Sequence, residues 1–148
     1  MFEQLQTDLK SSMKAQDAFK TSVLRMFLSA IKYEQMEGAK TLESPTDEMV
    51  TKVLQREIKK RNEAVELYLQ GGRSELADKE KSEIAILQAY LPEQMDEAAL
   101  TSLVKDAIAE TGATSVKQMG DVMKVLMPKV AGKADGKMIS DLVRTILS

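Results

Sequence analysis

Histidine, cysteine and tryptophan are absent from this sequence, and aromatic residues make up only 4% of it. Without cysteine the chain can form no disulfide framework, thiol nucleophile or thiolate metal site. Without histidine it lacks the one side chain that titrates unperturbed near neutral pH, the usual general base of triads and the usual zinc ligand. Chemistry would have to rest on Asp, Glu, Lys, Ser, Thr or Tyr. Such sets serve glycosidases and Mg²⁺ enzymes, whose sites sit in clefts of larger folds. A non-catalytic protein without cofactor or metal is therefore expected. No apolar run approaches the ~18 residues that cross a bilayer, so no membrane partner is expected. The opening MFEQLQTDLK carries acids where a secretory signal has a basic start and an apolar run, which makes the cytoplasm the expected compartment.

What is present is globular: 148 residues, 43% hydrophobic and 30% charged, enough for one ordinary domain or two small ones. The formal net charge of −2 excludes a strongly basic nucleic-acid tail, and DNA is not an expected partner. Distribution matters more than the sum. Between residues 117 and 137 stand Lys117, Lys124, Lys129, Lys133 and Lys137 against only Asp121 and Asp135.

Apolar residues recur at helical spacing throughout. Phe2, Leu5, Leu9 and Met13 predict a first helix ending near Gln16, and Val23, Leu24, Phe27, Leu28 and Ile31 a second over 18–37, stopped by Gly38. A third is expected to start at Ser44-Pro45, with Ser44 as cap, and to run to Gly71-Gly72. A fourth covers about 74–89, with Leu76, Ile84, Leu87 and Tyr90 on its inner side. Leu91-Pro92 is the natural break, because proline disfavours a helical residue before it. Asp96 caps a fifth helix ending at Thr111-Gly112. A sixth runs from Ser115 to a stop at Pro128, and Asp135 caps the seventh. No strand pattern outlasts a helical one. The expected fold is all-α: a four-helix bundle over residues 1–93, then a three-helix domain over 94–148.

Four features invite function. Glu34, Glu57 and Arg61 fall on apolar stripes; the bland account is an ion pair of Glu34 or Glu57 with Arg61 that fixes helix register, the sharper one a polar site between helices. On the pairing account, Glu34→Gln should lower stability markedly. Arg56, Lys59, Lys60 and Arg61 make a basic cluster best read as a solvated helix face, with Glu63 and Glu66 nearby. Met119, Met123 and Met127 form a row that suits either core or an adaptable surface, and Val122 and Leu126 beside it favour core. Gly120 costs its helix about 1 kcal/mol relative to alanine, so another backbone is expected to approach it closely. Finally, Gly132-Lys133-Ala134-Asp135-Gly136 offers a tight turn ahead of a helix start. Lys133 and Lys137 there could meet a phosphate backbone; the P-loop spacing is missing, and a capping Asp135 would repel a nucleotide.

Leu91-Pro92-Glu93-Gln94, Met119-Gly120-Asp121-Val122-Met123 and Gly132-Lys133-Ala134-Asp135-Gly136 stand in the order and spacing of the YqeY-like proteins, which the chain resembles over essentially its whole length. Thr21-Ser22-Val23-Leu24-Arg25-Met26, Glu34, Glu57, Lys60 and Arg61 are similar to the family's N-terminal part. The last two C-terminal motifs also resemble the tail domain of GatB, the B subunit of the tRNA-dependent amidotransferase. The resemblance implies a helical bundle followed by a small helical tail domain. In the amidotransferase that tail helps hold tRNA while chemistry happens elsewhere, and nothing in this chain is similar to the catalytic core or to the amidase.

The resulting expectation is an accessory protein that binds tRNA or another structured RNA, with Lys117, Lys124, Lys129, Lys133 and Lys137 on phosphates and Gly120, Gly132 and Gly136 allowing close backbone approach. The alternatives are an adaptor docking on a tRNA-metabolism enzyme, or a component of a glutamine-dependent amidotransferase.

Overall fold

Helix ends in this chain are set by short-range hydrogen bonds. In a computed structural model, which describes residues 1–38 and 44–148, they delimit seven α-helices, and no strand occurs among the described residues. Helix α1 (Phe2–Lys14) stops where Gln16 turns into the left-handed region at φ 57°. Asp17 then caps α2 (Ala18–Glu37) by accepting a bond from the Lys20 N–H at 3.0 Å. The two helices are also tied by a 2.9 Å bond between the buried hydroxyls of Ser12 and Thr21.

Helix α3 (Asp47–Gln70) begins later than expected. Its cap is Thr46, whose Oγ1 accepts from the Met49 N–H at 3.2 Å, not Ser44. Starting after Thr46 leaves Asp47 and Glu48 in the first turn, where the helix dipole favours acids. Helix α4 (Ser74–Gln88) returns against α3. Its inward face is Ala77, Glu83, Ile84 and Leu87, whereas Leu76 points outward at 36% exposure. Tyr90 closes this unit, donating its hydroxyl to Asp8 Oδ2 at 2.5 Å. Burial first, then the Asp8 bond and charge, raise the Tyr90 phenol well above its ordinary value.

The chain divides into two compact units, Met1–Leu91 and Pro92–Ser148, each with its own core. Phe27, Leu24, Ile31, Leu54 and Leu87 lie at the centre of the first. In the second, Asp96 caps α5 (Glu97–Thr111) through the Ala99 N–H at 2.7 Å, and Gly112 ends it in the left-handed conformation at φ 68°. A 3₁₀ turn (Val116–Gln118) leads into α6 (Met119–Val130). Pro128 does not stop α6, which continues to Val130. Its ring deprives only the Lys124 carbonyl of its helical hydrogen bond, and the helix closes within one further turn after that single loss. Asp135 caps α7 (Gly136–Leu147), which packs Ile139, Val143 and Leu147 inward. Of the methionine row, Met119 and Met123 pack against this core, while Met127 is 39% exposed.

Candidate functional site

In the first unit, Arg61 is buried at 7% exposure, and its guanidinium bonds carboxylates on two sides through Nε and Nη1. Nε donates to Glu83 Oε2 at 3.0 Å, and Nη1 donates to Glu57 Oε2 at 2.9 Å and to the Glu57 carbonyl at 3.2 Å. Burial alone would push the Glu57 carboxyl up, but hydrogen bonds and charge from Arg61 and Lys60 hold it below its ordinary value. The same carboxylates outweigh burial on the other side and raise Arg61. Glu34 is not a partner of Arg61: it pairs with Arg56 at 2.9 Å, near the surface. The basic cluster on α3 is thus largely matched by carboxylates. A depression over Arg61, which Lys60, Lys79, Glu80 and Glu83 also line, contains its own counter-charges and reads as a structural network.

In the second unit the lysines are all exposed, but their surroundings differ. Lys129 is paired with Glu110 at 3.3 Å. Lys137 shares a shallow depression with Glu97, Asp135 and Asp141, where carboxylates outnumber it. Because Asp135 Oδ1 also accepts from the Lys137 N–H at 3.3 Å, the start of α7 already holds an anion of its own. Lys117, Lys124 and Lys133 form no ion pair among the described residues.

Gly120 meets no close backbone: a Cβ there would find nothing within 4 Å, and the same holds at Gly136. Both glycines leave bare backbone facing outward. Gly132, at φ 76°, is required by the turn itself. That turn is strapped to the segment after Pro92. The Gln94 side-chain amide donates to the carbonyls of Pro92 and Gly132, each at 2.8 Å, and the Met95 N–H donates to the Lys133 carbonyl at 2.8 Å. The first and third C-terminal motifs are thereby one piece of structure. Gln94 and Glu83 are residues the sequence reading did not single out for a role; the motif containing Gln94 and the apolar neighbour Ile84 were the available signals.

Among the described residues, no three carboxylates gather as a group able to hold a metal, and no helix is long and apolar enough to cross a membrane. Fold and site define an all-helical protein of two units, the second built around a glycine-bearing turn anchored to its own entry segment. The chain matches the family described as Yqey-like protein over residues 2–147 and belongs to it. It is 39% identical over 85 residues to an uncharacterized protein of Schizosaccharomyces pombe, covering 57% of this chain and 67% of that one. It is 28% identical over 149 aligned positions to altered inheritance of mitochondria protein 41, mitochondrial, of Pyrenophora tritici-repentis, covering 97% of this chain and 78% of the relative. The protein of the same name in Saccharomyces cerevisiae is 29% identical over 136 residues, covering 90% and 69%.

Proposed function

We propose that this protein is a non-catalytic accessory factor whose second unit binds the phosphate backbone of structured RNA, tRNA foremost. The observation that carries the reading is that Lys117, Lys124 and Lys133 are exposed and form no ion pair among the described residues, while Gly120, on the same helix as Lys124, leaves its backbone bare. The likeness of the Gly120 and Gly132 motifs to the amidotransferase B-subunit tail supports it. Helical RNA is recognised largely by shape and phosphate, so few aromatics suffice. Lys129 and Lys137 contribute less than the other three, because each faces carboxylates. The cytoplasm is the proposed site of action. The relatives' mitochondrial names make organelle fractionation with a tagged chain the direct check.

Fluorescence anisotropy with bulk tRNA tests the binding. Weak binding is expected, with log K falling against log salt at a slope of about −2 to −3 for three phosphate contacts. The triple variant Lys117→Glu/Lys124→Glu/Lys133→Glu should lose at least about tenfold in affinity at low salt. No binding at tens of micromolar protein, or undiminished binding by the triple variant, overturns the reading.

Gly120→Ala gives a finer test. The added methyl meets nothing and removes a helix penalty, so the variant should be more stable by about 0.5–1 kcal/mol in urea titration. If RNA approaches this backbone, the same variant binds tRNA more weakly despite its stability. Equal or tighter binding would remove Gly120 from the contact surface.

A further inference from the structure

The surface between α1 and α2 carries an imbalance that the RNA reading does not touch. Its floor is apolar, made by Phe2, Leu9, Met13 and Leu28, over a volume of about 450 Å³. Its walls carry Lys10 on α1 and Arg25 and Lys32 on α2, and among the described residues no carboxylate lines it. None of these three cations forms an ion pair among the described residues; Arg25 only lays Nη2 against the Met13 sulfur at 3.7 Å. The nearby acids of the same helices are committed elsewhere or lie outside the groove. Asp8 is held by Gln4 and Tyr90, Asp17 caps α2, and Glu3 does not line the groove. In a chain of net charge −2, three unmatched cations around an apolar floor form a local field with a defined shape. The depression continues past Met13 to Met26, and these thioethers are 50% and 56% exposed. Exposed methionines suit a surface that re-packs around an incoming apolar face.

The geometry points to a docking groove for an acidic amphipathic helix of a partner protein. Charge complementarity selects the occupant. From Phe2 to Met13 the groove runs about 16 Å along α1, the length of about three helical turns at 1.5 Å per residue. A helix with apolar residues at i, i+3 or i+4, and i+7 fills such a floor. Arg25 and Lys32 stand seven residues apart, about 10 Å along one wall, so carboxylates about seven residues apart on the partner meet both. A phosphate backbone would leave the phenyl and thioether floor unmatched. A bilayer takes up protruding apolar side chains, whereas this surface is concave.

The test uses the full chain and a designed 14-residue peptide with leucines at helical spacing flanked by glutamates seven apart, alongside its lysine-for-glutamate counterpart. Backbone amide NMR shifts on adding the acidic peptide are expected to cluster on α1 and α2, with saturable binding. Arg25→Glu/Lys32→Glu, both exposed positions, should keep the native melting temperature, lose at least tenfold in affinity for the acidic peptide and gain affinity for the lysine counterpart. That exchange of preference is specific to the groove and leaves tRNA binding by the second unit unchanged. Absence of binding by the acidic peptide at millimolar concentration overturns the proposal. So does equal affinity of the charge-reversed variant, or preferential occupation of the groove by tRNA or by phosphatidylserine vesicles.

Discussion

Arg61→Ala is expected to destabilise the first unit by about 3–5 kcal/mol, among the largest effects of any single polar substitution in the chain. The guanidinium is 7% exposed and joins α3 to α4 through Glu83, itself only 9% exposed. Removing it takes the ion-pair partner from the largely buried Glu83 carboxylate and empties the space filled by the arginine stem. Glu83→Gln should cost less, since the amide oxygen still accepts from Nε and Glu57 still neutralises the arginine. Glu34→Gln should fall within about 1 kcal/mol of the native chain, because the Glu34–Arg56 pair is partly solvated, with the arginine 43% exposed. Urea unfolding followed by circular dichroism ranks the three.

Acid adds a second readout to the same experiment. Glu57 is held below its ordinary value near 4.5, so the folded state favours its charged form. Its contribution is present above that value and is lost as pH falls through the depressed one. Native stability should therefore decline on acidification more steeply than that of Arg61→Ala, which no longer has this carboxylate fixed by the guanidinium. Equal slopes for the two chains between pH 6 and pH 3 would contradict the assignment.

The all-helical architecture was legible because it rests on local signals. Asp96 and Asp135 each cap the helix that follows, and Gly112 ends α5. The start of α3 shows the limit of that logic: Ser44 and Thr46 are chemically alike hydroxyl caps two residues apart, and cap chemistry alone does not choose between them. Longer-range facts were not legible. The stripe places Arg61 inward and offers Glu34 or Glu57 as its partner, of which Glu57 is one; finding Glu83 requires knowing how α4 returns across α3. Glu34, on an apolar stripe by spacing, lies at the edge where Arg56 reaches it. The helix cost of Gly120 predicts a point of close packing, whereas the fold leaves it open, and no packing among the described residues requires a glycine there. The α1–α2 groove had a signal in the sequence: Arg25 and Lys32 lack a carboxylate three or four residues away on their helix. Which apolar floor they flank emerges only when α1 folds back on α2.

The second unit responds differently, because it is small. Leu126 is fully buried on α6, where it packs with Leu100, Val104, Ile139 and Val143. Truncating such a leucine to alanine removes transfer free energy and leaves a cavity, at a cost of about 2–5 kcal/mol. A unit of about 57 residues has a total stability of only about 3–9 kcal/mol, so the loss is a large share of it and at the upper end exceeds the lower bound. Leu126→Ala should therefore melt α5, α6 and α7 together while the first unit, with its separate core, stays folded. Hydrogen exchange should show amide protection gone from Glu97 onward and retained at Phe27 and Leu54. Helical circular dichroism at 25 °C should fall by roughly the share those three helices contribute, and binding to tRNA should disappear. Peptide binding in the α1–α2 groove should survive, since Phe2, Leu9 and Leu28 belong to the first core or pack against it. Loss of protection across both units in a single step would mean that the two cores unfold as one cooperative body.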